Sequence, residues 1–144
     1  MRPICFLSDF GLTDDFVGTC KGVLLSIAPG VAIVDLTHEV PGFEVGVGAE
    51  ILRHTTRYMP DDTIYLAVVD PGVGTQRWAF ALRTENGAFM VGPDNGLLIP
   101  AAEVLGESGR SRCSPTSVTT STPSRTPSTA AMSSRRRRRT SRPG

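Results

Sequence analysis

Apolar and polar positions alternate along the first 105 residues in a way that switches between strand and helix. PICFLSD begins with a short apolar run stopped by polar residues and Gly11, the pattern of a buried strand. Thr13 is then expected to cap a helix. Asp14 and Asp15 would sit in its first turn, and Phe16, Cys20, Leu24 and Ile27 recur at helical spacing until Pro29-Gly30 ends it. VAIVDL predicts a second strand. A helix is expected from about Phe43 to Tyr58, with Val47, Ile51 and His54 or Thr55 on one face. TIYLAVVD, the most continuously apolar stretch, predicts a third strand. WAFALRT and GAFMVG follow as an antiparallel pair around Glu85-Asn86-Gly87.

Strand, helix, strand, helix, strand is the order of an α/β fold, a mainly parallel sheet flanked by helices. Ligands bind such sheets beyond the carboxyl ends of the strands. SDFG, DLTHE and VVDPGVGTQR, which carry most of the polar chemistry, stand at those three ends.

Composition changes this picture after residue 106. The 144 residues carry a formal charge of +1. Residues 1–107 hold all 14 acidic residues and only six basic ones, a net of −8, whereas residues 108–144 hold nine arginines and no acid. That second segment also has no Leu, Ile, Phe, Trp or Tyr, so it cannot bury enough apolar surface to order itself. The expected division is an α/β domain over 1–106 and a disordered Ser/Thr/Pro/Arg-rich tail over 107–144. The three cysteines, Cys5, Cys20 and Cys113, form no paired or zinc-binding spacing, and Cys5 and Cys20 read as small core residues. No signal peptide or membrane span is evident, so a cytoplasmic protein without a membrane partner is expected.

Asp9 follows the first strand, where a carboxylate can accept both hydroxyls of a ribose diol or simply cap the turn. Asp70 ends the third strand and enters Pro71-Gly72-Val73-Gly74, with Arg77 placed to fold back on it and keep it ionised. The glycine spacing is not that of a phosphate loop. His38 reads as a histidine hydrogen-bonded at a strand end, His54 as partly buried helix packing, and Asp94-Asn95-Gly96 as a turn.

LSDFG, TDDFVGTCKG, DLTHEVP, VVDPGVGTQR and VGPDNGLL, in this order and spacing, resemble the S-adenosylmethionine hydrolases. These are also called S-adenosylmethionine hydroxide adenosyltransferases and are related to the fluorinating and chlorinating enzymes. The resemblance covers roughly the first 105 residues. It implies an N-terminal α/β domain followed by a small β-barrel, a homotrimer with substrate between one subunit's N-terminal domain and a neighbour's barrel, and attack by water on the ribose 5′ carbon. No cofactor or metal is implied, because a neutral thioether leaves from a sulfonium. By the same resemblance Asp70 and Arg77 are the catalytic pair holding that water. Asp9 would meet the ribose diol, Asp14 the methionine end, Phe43 would form an aromatic wall, and Asn95 would bind substrate. Halide-using relatives carry an aromatic residue in place of Asp70 and a small hydroxyl residue in place of Val73, so Asp70 favours water.

The resemblance also implies a catalytic histidine in a Phe-His-Gly-Arg-Asp motif near Ser128 and Thr129, where this chain has none. Back-translating Ser128 to Gly144 with permitted codons and reading one base earlier yields Phe-His-Gly-Arg-Asp-Val-Phe-Ala. A frameshift between about Gly106 and Cys113 is therefore expected, leaving a truncated chain with little or no turnover. The alternative from another class is an arm that grips nucleic acid through Arg135 to Arg139. No aromatic residue interleaves with those arginines, so such binding would be nonspecific and strongly salt-dependent, and no specific nucleic-acid partner is expected.

Overall fold

A computed structural model describes residues 1–72, 74 and 78–113, the last seven as backbone only. Six strands form one sheet in the order β2-β1-β3-β5-β4-β6. They are β1 (Ile4–Ser8), β2 (Ile33–Thr37), β3 (Ile64–Val68), β4 (Ala79–Thr84), β5 (Phe89–Pro93) and β6 (Glu107–Cys113), with helices α1 (Phe16–Ile27), α2 (Val45–Thr55) and α3 (Ile99–Leu105) between them. β1 pairs in parallel with β2 and β3, β3 with β5, and β4 runs antiparallel to both β5 and β6. The α/β architecture and the β4–β5 hairpin are those that the sequence pattern predicts.

The two faces of the sheet are covered unequally. Cys5, Leu7, Tyr65, Ala67, Val69, Phe80, Leu82 and Met90 face one side and are buried with Ala49 and Leu52 of α2 and Ala101 and Ala102 of α3. Burying a side chain such as Leu52 completely contributes about 2 kcal/mol, so this layer holds the domain together. Two glycines let it close: a Cβ on Gly48 would stand 3.1 Å from both Leu97 and Val69, and one on Gly92 would stand 2.5 Å from the Ala67 carbonyl oxygen. On the opposite face, α1 buries only Val17 and leaves Phe16, Val23, Leu25 and Ile27 exposed.

Several expectations are corrected. α1 begins at Phe16 rather than behind Thr13: Asp15 is the cap residue, and the Asp14 carboxylate accepts the Phe16 N–H at 3.0 Å. α2 buries Gly48, Ala49 and Leu52 instead of the Val47 stripe, and His54 is exposed, because the helix presents its small residues to the sheet. Residues 56–58 continue it as a single tighter turn. The sheet also runs past residue 106, since the backbone of Glu107–Cys113 pairs with all of β4. A β4 edge with unpaired N–H and C=O groups accepts any extended segment, whatever its hydropathy, so composition could not reveal β6.

Candidate functional site

The carboxyl ends of β1, β2 and β3 lie side by side, and backbone hydrogen bonds tie their loops together. The Asp9 N–H donates to the Val68 carbonyl at 3.3 Å, the Gly11 N–H to His38 at 2.7 Å, and the Val40 N–H to Ser8 at 3.4 Å. Ser8 and Val68 are register partners, so Asp9 and Asp70 leave adjacent strands one residue out of step.

Asp9 Oδ2 accepts the Phe43 N–H at 3.1 Å, which joins the loop after β1 to the loop after β2. A carboxylate has capacity for further donors beyond that one. Phe43 is the one described non-glycine residue with a positive φ, 66°, and the residue is 66% exposed at this edge. Asp70 Oδ1 accepts the Gly72 N–H at 2.8 Å, turning the chain sharply after β3. Asn95 donates from Nδ2 to the Val69 carbonyl at 2.8 Å and accepts the Leu97 N–H at 3.1 Å. Its amide therefore clamps the end of β3 to the start of α3, directly behind Asp70. Asp14 lies at the start of α1, its carboxylate engaged by the helix. Arg77 lies outside the described residues.

Two apolar hollows adjoin this edge on the α1 side of the sheet. One, of about 390 Å³, is lined by Phe6, Phe10, Phe16, Cys20, Leu24 and Val68 among others. The other, of about 280 Å³, is lined by Leu66, Val68, Trp78, Val91 and Pro93, with Asp70 as its charged member. Asp70 thus stands where a polar rim meets an apolar wall, the surroundings in which one water can be isolated and oriented.

Beneath Asp9, His38 is hydrogen-bonded at the end of β2, as the sequence predicts, and what the sequence did not reveal is its partners. Ser8 and His38 are both buried, and Ser8 Oγ lies 2.7 Å from His38 Nδ1. His38 Nε2 stands 3.2 Å from Asp35 Oδ1, a contact without hydrogen-bond alignment. Asp35 is also paired with Lys21 of α1. Partial burial works to raise the Asp35 carboxyl, but the contacts of Lys21 and His38 outweigh it and hold the group below its ordinary value. The register slips between Phe6 and Leu7, whose partners are Asp35 and Thr37, so Leu36 is the extra residue of a bulge. Residues three apart on a regular strand point to opposite faces. Asp35 and His38, which lies one residue past the end of β2, nevertheless meet on one side. Only the D-x-x-H spacing hints at this in the sequence.

Comparisons with known proteins identify the family. Residues 4–132 match the family model of the SAM hydroxide adenosyltransferase N-terminal domain, so the match continues past residue 105, where the sequence motifs end. An (R)-S-adenosyl-L-methionine hydrolase of Salinispora arenicola is 52% identical over 103 residues, 72% of this chain and 39% of that protein. A fluorinase of Actinoplanes sp. is 41% identical over 85 residues, 59% of this chain and 28% of that protein. The crystal structure of an uncharacterized conserved protein from Thermotoga maritima superposes with a TM-score of 0.73 at 40% identity, covering 76% of this chain and 42% of that one. The chain thus spans about two-fifths of the length of the hydrolase it matches. The match over residues 4–132 and the identity to the hydrolase show that this chain belongs to the SAM hydroxide adenosyltransferase family, of which it carries the N-terminal domain.

Proposed function

We propose that this chain provides the substrate-holding part of an S-adenosylmethionine hydrolase, with Asp9 on the ribose diol and Asp70 on the attacking water. The observation that carries the proposal is the convergence of Asp9, Phe43 and Asp70 on one sheet edge beside apolar hollows. Water attacks the ribose 5′ carbon, the carbon–sulfur bond breaks, and methionine leaves as a neutral thioether. Adenosine and one proton complete the balance. Asp70 would orient the water and receive its hydrogen bond. Arg77 would hold Asp70 ionised, Phe43 would wall the adenosyl group, Asp14 would lie toward the methionine end, and Asn95 would act by holding the Asp70 turn. Holding the water in line with the scissile bond supplies most of what the reaction needs, since no leaving-group protonation is required.

A halide-using reaction is the second reading, favoured by the fluorinase likeness. Asp70 weighs against it, because a carboxylate at the attacking position repels an anion. The proposal extends to a homotrimer in the cytoplasm, and to a tail read out of phase from between Gly106 and Cys113. The recoverable Phe-His-Gly-Arg-Asp motif supports that reading of the tail, and resequencing the coding DNA from the Gly106 codon onward tests it.

Single-turnover incubation of excess chain with S-adenosylmethionine in ¹⁸O-water tests the chemistry. The adenosine formed should carry ¹⁸O at its 5′ hydroxyl, and Asp70→Asn should abolish its formation. Turnover should lie far below that of a complete relative, since His38 is buried and His54 lies exposed on α2. Unlabelled adenosine, or a chloride-dependent 5′-chloro product, would contradict the proposal.

A further inference from the structure

Ser8, His38 and Asp35 form a serine–histidine–carboxylate series, yet their arrangement excludes a hydrolytic triad. In such a triad the nucleophile is accessible and meets Nε2 while the acid holds Nδ1. Here the serine has 0% exposure and meets Nδ1. The series must therefore act on its surroundings.

Ser8 Oγ lies within hydrogen-bond distance of His38 Nδ1 and also receives the Phe10 N–H at 3.5 Å. On the other side of the ring, Nε2 faces Asp35, which Lys21 of α1 anchors. The ring is further fixed edge-on to Phe6, with centroids 4.7 Å apart. Both buried residues also lend their main chain to the site: the His38 carbonyl holds Gly11, and the Ser8 carbonyl holds Val40. Asp9 lies between Ser8 and Phe10, and Phe43, whose N–H it accepts, lies five residues beyond His38. The series thus pins together, from below, the two loops whose relative placement decides where the Asp9 carboxylate points.

We infer that Ser8 and His38, backed by Asp35 and Lys21, are positioning residues that aim the Asp9 carboxylate at the 2′ and 3′ hydroxyls of a bound adenosyl group. The inference rests on the ribose role proposed for Asp9. It assigns affinity for the diol to residues that touch no ligand.

The test uses the full chain and compares the affinities of adenosine and 2′,3′-dideoxyadenosine. Wild-type protein should prefer adenosine. Ser8→Ala should lower that preference about fivefold, the worth of one hydrogen bond, while leaving the dideoxy affinity nearly unchanged. Asp35→Asn, at the solvent-facing end of the series, should lower it in the same direction and serves as the second variant should Ser8→Ala fail to fold. A merely structural role would weaken both ligands together. Folded variants that keep the wild-type preference would overturn the inference. A wild-type chain with no preference would instead remove the ribose role of Asp9, and the two failures are distinguished by which protein shows them.

Discussion

Replacing Phe43 by glycine and, separately, by alanine tests whether this edge stores backbone strain. Phe43 holds φ at 66°, where a Cβ crowds the following carbonyl, and the residue is 66% exposed. Both variants delete the same ring, and an exposed ring contributes little to packing. Only glycine escapes the left-handed penalty. Glycine loses more chain entropy on folding, by about 0.5–1 kcal/mol, which offsets part of the gain. The remaining difference should leave Phe43→Gly more stable than Phe43→Ala by about 1 kcal/mol, the reverse of their order in a helix. In a domain of this size that is about 4–8 °C in melting temperature. Urea unfolding followed by circular dichroism and by the fluorescence of Trp78, the single tryptophan, measures it. Both variants should also bind adenosine more weakly, by about two- to tenfold, if they have lost the aromatic wall proposed for Phe43. An alanine variant as stable as the glycine variant would refute the strain at this position.

Gly92→Ala should destabilise the domain by about 3 kcal/mol, because the new Cβ would stand 2.5 Å from a backbone oxygen of the neighbouring strand. Gly48→Ala meets only the tips of Leu97 and Val69 at 3.1 Å and should lose about 1 kcal/mol; denaturation midpoints of the two variants check the contrast. Burial pushes the Cys5 thiol from 9.0 up to about 11, and burial, then the Cys5 charge, pushes the Tyr65 hydroxyl from 10.0 up to about 12. Both groups resist ionising in the folded chain, so stability present below pH 9 should fall as pH rises toward 11 and 12. Urea midpoints from pH 8 upward should show this decline, with a smaller decline in Cys5→Ala; a flat profile would contradict the burial of both groups.

The parallel core was legible because β1 and β3 are short apolar runs bounded by polar turns, and because the hairpin turn at Glu85-Asn86-Gly87 separates two alternating segments. What escaped depends on pairing rather than on local pattern. Asp35 and His38 meet where the register of β2 on β1 slips and the strand ends, which no local pattern marks. The backbone of β6 pairs along the edge of β4, a partnership that no local apolar pattern in its sequence marks. The face of α2 was misread because Gly48 and Ala49, which carry little hydropathy, are what let the helix approach the sheet. In the site, Asp9 and Asp70 were located by their position after apolar strands, while the hold of Asp9 on Phe43, 34 residues away, needed the fold.

The central claim is that the carboxyl edge of β1 and β3 holds an adenosyl group through Asp9. Calorimetric titration of S-adenosylmethionine into the wild-type chain and into Asp9→Asn tests it most directly, with circular dichroism showing that both are folded. Saturable binding to the wild type, weakened at least about tenfold in the variant, is the expected result for a carboxylate bonded to two hydroxyls. Equal binding by both proteins, or none by the folded wild type, would contradict the account.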